Sequence, residues 1–168
     1  MTHFSLIAAV GENLELGGNQ SLLWEQPKDL QRFKALTLEH PVVMGRKTWE
    51  SLSIRPLPRR RNIVLSRQAD FSPAQAEIAN SVETVIRMTS SEDETFIIGG
   101  AEIYQLFLPL ASTIYLTRIL EVFAQADRFF PKINLEHWEL KDELFVEQDE
   151  ANRFAMMFQC YKRINEHE

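Results

Sequence analysis

The chain has 168 residues, 45% hydrophobic and 25% charged, which is the length of one domain and the composition of a globular fold with its own core. A net charge of −6 disfavours a general nucleic-acid binder, because phosphate backbones are gripped by clustered Lys and Arg. The single cysteine, Cys160, excludes an internal disulfide and a multi-thiolate zinc site, so no metal is expected and a reducing compartment, the cytoplasm, is.

Residues 1–10 lack a basic leader and a long apolar run, so neither a signal peptide nor a membrane span is expected. Residues 4–10 form a nearly continuous apolar run ended by Gly11, the pattern of a strand buried on both faces in the middle of a sheet. Residues 11–23, rich in Gly and Asn without a sustained period, predict a long loop of the kind that is often functional. Pro27 opens a helix that ends near Thr37, with Leu30 and Phe33 on one face and Lys28, Arg32 and Lys34 around the other. A strand over 41–44 is broken by Gly45, and 46–52 has the character of a short helix. Residues 62–65 and 77–80 predict strands, and 81–88 a helix capped by Ser81. After the polar turn 89–94, a strand over 95–98 meets Gly99-Gly100, a helix over 101–108 runs to Pro109, and 112–119 returns to strand character. This alternation predicts βαβ units and a mainly parallel sheet. Two β-rich stretches, 138–146 and 154–163, flank a polar segment and predict an antiparallel hairpin added to that sheet. No linker or repeat divides the chain, so one domain over 1–168 is expected, and no long amphipathic stripe demands a partner, so a monomer is.

Ligands on open α/β sheets sit at the carboxyl ends of strands, which here carry three suggestive segments. Gly45-Arg46-Lys47-Thr48 offers a small residue, two cations, a hydroxyl and backbone donors at a helix start, a phosphate grip. Ser66-Arg67 suits the 2′-phosphate of a ribose. Gly99-Gly100-Ala101-Glu102 lets a diphosphate approach the backbone. Each has a plain alternative as a turn or a solvated surface, and neither the Rossmann glycine fingerprint nor a Walker lysine loop occurs. Asp29 stands four residues before Phe33, so carboxylate and ring share a helix face; the acid is either an ordinary first-turn residue or a ligand group in a cleft. The basic run 55–61 is either a solvated loop or a carboxylate receptor stiffened by its prolines.

Taken in order, these residues resemble dihydrofolate reductase, of the bacterial chromosomal type, over nearly the whole chain. The resemblance is carried by Ser5-Leu6-Ile7-Ala8-Ala9, by Trp24 with Pro27-Lys28-Asp29-Leu30 and Phe33, and by Val43-Met44-Gly45-Arg46-Lys47-Thr48-Trp49-Glu50-Ser51. Arg55-Pro56-Leu57-Pro58, Asn62-Ile63-Val64-Leu65-Ser66-Arg67, Ile98-Gly99-Gly100-Ala101-Glu102-Ile103-Tyr104, Tyr115-Leu116-Thr117 and Asp127-Arg128-Phe129-Phe130-Pro131 follow at the family's approximate spacing. It implies an α/β fold: a central eight-stranded, mainly parallel sheet with a C-terminal antiparallel hairpin, flanked by four helices. It implies NADPH-dependent reduction of dihydrofolate to tetrahydrofolate, with antifolate-type inhibitors as further ligands. Asp29, Trp24 and Thr117 are implied at the chemistry, and Ile7, Ala8, Leu30, Phe33, Leu52, Arg55 and Leu57 around the substrate, with Arg60 on the glutamate tail. Around the cofactor it places Ala9, Leu16, Gly17, Gly18, Asn19, Gln20, Gly45, Arg46, Lys47, Thr48, Leu65, Ser66 and Arg67, then Ile98, Gly99, Gly100, Ala101, Glu102, Ile103 and Tyr104. Ser53-Ile54 stands where the family has a single glycine, Arg59 replaces another, and Glu102 puts an acid beside the diphosphate segment. The reductase of riboflavin biosynthesis and a non-catalytic folate binder are the alternatives that share the fold.

Overall fold

A computed structural model describes residues 1–17, 26–68 and 70–165. Strands β1 His3–Val10, β2 Val42–Gly45, β3 Asn62–Leu65, β4 Glu77–Ala79, β5 Glu94–Gly99, β6 Ala111–Ile119, β7 Trp138–Val146 and β8 Met156–Arg163 form one sheet in the order β4-β3-β2-β5-β1-β6-β8-β7. The first six run parallel, and β8 pairs antiparallel with both β6 and β7, which is the added hairpin. The helices are α1 Pro27–Thr37, α2 Arg46–Ser51, α3 Val82–Met88 and α4 Ala101–Phe107, with a 3-10 turn at Leu108–Leu110. No helix among the described residues is long and apolar enough to cross a membrane.

β1 lies inside the sheet between β5 and β6 and is buried on both faces, as its unbroken apolar run requires. Its side chains alternate. Ile7 joins Val42, Met44, Trp49, Val64 and Phe96 on the face covered by α1 and α2, where Phe33, Leu36, Leu52 and Leu57 pack. Leu6 and Ala8 join Val43, Ile97, Val85, Ile103, Tyr104 and Phe107 on the face covered by α3 and α4. Ser81 caps α3, its hydroxyl accepting the Thr84 N–H at 3.1 Å.

One expected boundary moves for a physical reason. β8 starts at Met156 instead of residue 154, because Phe154 has both backbone groups engaged by Gln26, whose amide oxygen accepts its N–H and whose amide nitrogen donates to its carbonyl. Asn152 likewise accepts the Lys28 N–H at 3.0 Å. The hairpin loop therefore holds the start of α1, where Pro27 already supplies a suitable φ.

The order of connections places a crevice. From β2 the chain goes outward to β3, whereas from β5 it crosses β1 to reach β6 on the other side. Neighbouring strands whose connections leave in opposite directions open a gap at their carboxyl ends. Here those ends are Gly45 and Gly99.

Candidate active site

Asp29 sits in the first turn of α1, yet it does not cap the helix: Oδ1 accepts the Thr117 hydroxyl at 2.6 Å, from the buried outer half of β6. By area the residue is part-buried, but its carboxyl lies deep among protein atoms, and this desolvation pushes its pKa up, against the lowering pull of Thr117 and then of Arg32. Phe33, Leu52 and Leu57 lie on the same side as Ile7, while Leu30, 53% exposed, offers an uncovered apolar side chain one residue after the acid. Strand alternation turns the Ala8 side chain into the α3/α4 cluster, so only its backbone is on the Ile7 side. Arg32 also departs from expectation. It is not on the solvent face but is turned to the sheet, with Nη1 donating to Leu116 O and Thr117 Oγ1 and Nη2 to Gln159 O.

The basic run resolves into three different roles. Arg59 pairs with Glu39 at the surface, and Arg61 is held between Glu77 and Glu92 with a further bond to Met88 O. Arg60 has no carboxylate partner among the described residues. Its Nε donates to Pro58 O and its Nη1 to Thr37 Oγ1, and partial burial pushes its pKa below the usual arginine range. Asn62 fixes the loop beneath it, bonded to Leu57 N–H, Leu57 O and Arg60 O. Asp29, Phe33 and Thr37 recur every four residues along one side of α1, so about 12 Å of helix, at 1.5 Å per residue, separates the acid from Thr37, on which the Arg60 guanidinium rests. Arg55 is exposed, its guanidinium 5.9 Å from the Trp49 ring, and Ser53-Ile54 lie outside on the surface.

The β2/β5 crevice brings together two of the three glycine or basic segments. A Cβ on Gly45 would come within 3.1 Å of Ile103, and one on Gly100 would lie 3.9 Å from Thr48 Oγ1, so the two chain segments pass with only backbone between them. Gly99 has φ +121°, and Tyr104 fills the space where its side chain would go. The single proton of the Tyr104 hydroxyl is shared between Ile7 O at 2.7 Å and Ile98 O at 3.0 Å, which ties the floor of the crevice to β1, and burial pushes its pKa up. Leu65 ends β3, and beyond it Ser66 is buried while Arg67 is exposed. Arg46 pairs with Glu50, Lys47 is exposed, Ala101 begins α4, and Glu102 faces solvent. Ala9 stands near the end of β1, and Leu16 packs on the α3/α4 cluster with its N–H on Arg128 O. Gly17 is exposed; Gly18, Asn19, Gln20 and Trp24 lie outside the described residues.

A family model for dihydrofolate reductase matches residues 3–163. The chain belongs to the dihydrofolate reductase family. Similar proteins include the dihydrofolate reductase of Neisseria meningitidis, 47% identical over 138 residues, which is 82% of this chain and 85% of that protein. That of Haemophilus influenzae is 41% identical over 155 residues, 92% of this chain and 95% of that one. Among solved structures, the Enterococcus faecalis dihydrofolate reductase complexed with NADP(H) and RAB-propyl superposes with a TM-score of 0.89 at 32% identity, covering 97% of both chains.

Two features of this reductase escaped the sequence. Arg32 was hidden by its neighbours Lys28 and Lys34; its place three residues after Asp29 was the available signal. Glu15, in the long loop, is 3% exposed and accepts the N–H groups of Asn13 and Phe123, so it staples that loop to the segment after β6, where Glu15 also bridges Phe129. A charged residue in a polar loop gives no sequence signal of burial.

Proposed function

We propose that this chain reduces 7,8-dihydrofolate to tetrahydrofolate with NADPH, the reaction of its family, using the cleft along α1 for the substrate and the β2/β5 crevice for the cofactor. The observation that carries the residue assignments is the spacing along α1 between the Asp29 carboxylate and Thr37, on which the Arg60 guanidinium rests. A carboxylate held by Thr117 stands at one end, and a guanidinium with no carboxylate partner among the described residues stands at the other. Dihydrofolate presents the complement: an amino-pyrimidine edge that donates hydrogen bonds and, beyond a flat spacer, an α-carboxylate. Asp29 receives the pterin edge as a pair of charge-assisted bonds, and Arg60 receives the carboxylate in the planar two-point contact that only arginine offers. Ile7, Leu30, Phe33, Leu52 and Leu57 cover the ring system and the spacer.

The residues of the crevice fit a dinucleotide phosphate. Gly45 and Gly99 bring backbone to where a Cβ would crowd Ile103 and Tyr104, and Thr48, Lys47, Arg46, Ser66 and Arg67 supply donors and positive charge. When bound, NADPH supplies the hydride that the imine carbon of the pteridine receives. Asp29 orients the ring for that transfer, and the neighbouring ring nitrogen takes its proton from water. Arg67 selects the 2′-phosphate. The protein is further proposed to act as one cytoplasmic, monomeric domain over 1–168, and to bind antifolate-type inhibitors through Asp29. The test is a steady-state assay of NADPH oxidation with dihydrofolate, run beside Arg67→Ala with NADPH and NADH. Turnover with dihydrofolate and a loss of roughly tenfold or more confined to NADPH are expected. Absence of turnover would overturn the activity, and equal losses for both cofactors would remove Arg67 from the phosphate site.

A further inference from the structure

We infer that Arg32 is a positioning residue for Asp29: it fixes the direction in which the Thr117 hydroxyl points and sets a positive charge beside the substrate-binding carboxylate. The inference rests on the role given to Asp29 above.

The geometry is a chain of two hydrogen bonds. Arg32 Nη1 donates to Thr117 Oγ1 at 3.1 Å, and the Thr117 hydroxyl donates to Asp29 Oδ1 at 2.6 Å. A guanidinium has no acceptor, so the threonine oxygen must accept from it. Its single proton is then committed to Asp29. Without Arg32 the hydroxyl could rotate and turn a lone pair toward the carboxylate.

The guanidinium is itself held from three sides. Leu116 O on β6 and Gln159 O on β8 each accept at 3.2 Å, and the Phe158 ring lies 4.7 Å from its central carbon, with Tyr115 at 6.0 Å. None of these carries a formal negative charge, and no carboxylate pairs with Arg32 within ion-pair distance among the described residues. Asp29, one helical turn away, is the first of the acidic groups that act on it; burial lowers the pKa of Arg32 and raises that of Asp29, and each charge opposes the shift of the other. A simple strap between α1 and the sheet needs carbonyl and ring contacts but has no use for the bond to Thr117.

Three further titratable groups face this pair, and two of them, Cys160 and Tyr115, act on Arg32 after Asp29. Tyr104 on α4 faces Asp29, while Tyr115 on β6 and Cys160 on β8 face Arg32; all three have pKa values pushed up by burial, Tyr115 to about 12. Glu94 on β5 acts on Tyr115 and Cys160, and Asp142 on β7 and Lys162 on β8 act on Cys160; none of them perturbs Asp29.

The experiment uses the full chain without ligands. The Asp29 carboxyl is followed by carbon-13 NMR across the acid and neutral range in the wild type, Arg32→Met, Arg32→Gln and Arg32→Lys, with Asp29→Asn identifying the signal. The titration midpoint is expected to move to higher pH in Arg32→Met and Arg32→Gln and to return toward the wild-type value in Arg32→Lys, which keeps the charge. In Arg32→Gln the Michaelis constant for dihydrofolate is expected to rise roughly three- to tenfold, the worth of one ordinary hydrogen bond. A midpoint unmoved in Arg32→Met overturns the inference and leaves Arg32 a strap; should that variant fail to fold, an unmoved midpoint in Arg32→Gln does the same. If Asp29→Asn keeps normal turnover, the role of Asp29 itself falls. If Asp29→Asn is disabled while Arg32→Gln titrates like the wild type, only the present inference falls.

Discussion

Burial raises the pKa of Asp29 in the folded chain, so the folded state holds that proton more tightly than the unfolded one does. Stability from this group is therefore greatest where it is protonated and declines as pH rises from the unfolded value through the folded one. Asp29→Asn should then melt higher than the wild type at neutral pH, with the gain vanishing in acid, while dihydrofolate reduction falls by roughly tenfold to a hundredfold for each charge-assisted bond lost. Paired melting and kinetic profiles against pH check both signs. The kinetic defect should ease at lower pH, where the substrate arrives protonated. Arg60 is tested by Arg60→Lys, which should raise the Michaelis constant for dihydrofolate by roughly ten- to a hundredfold with a smaller change in turnover, because lysine cannot make a planar two-point contact. Arg59→Lys is the clean control, since its Glu39 partner is exposed. Arg61→Lys is not: it would loosen the bonds to Glu77 and Glu92 and lower stability instead.

At the scale of elements, α1 is placed by its N-terminal end as much as by its apolar face. Gln26 is fully buried and satisfies both backbone groups of Phe154, and Asn152 takes up the Lys28 N–H. Gln26→Ala should cost ~1–3 kcal/mol for each buried group left without a partner, read as a lower midpoint in urea. It should also raise the Michaelis constant for dihydrofolate, because Asp29 lies three residues away and its N–H bonds to Gln26 O. A stability loss with unchanged substrate binding would separate the anchor from the site. The same anchoring explains why the second hairpin strand is shorter than its apolar pattern: Phe154 is β-prone, but its hydrogen bonds go to a side chain from the other end of the sequence.

Across the whole molecule, Phe96 stands where β5, the Tyr115 ring at 5.9 Å and the His40 ring at 5.5 Å meet, and it is completely buried. Phe96→Ala should cost about 3–5 kcal/mol. That is a large share of the ~5–15 kcal/mol by which such domains are stable, so the urea midpoint should drop with the slope unchanged. The sequence by itself determined the element order, the central place of β1, the parallel sheet with its hairpin and the segments at the strand ends, since these follow from local periodicity, turn residues and recurring motifs. The charge pattern did not separate Arg59, Arg60 and Arg61; the family resemblance alone singled out Arg60, and which carboxylates reach the other two is decided by the fold. Nor could the sequence turn Arg32 inward or bury Glu15, because each depends on acceptors or donors more than eighty residues away in the chain. Local pattern reports which face of a segment is apolar; only packing decides which polar group finds a partner.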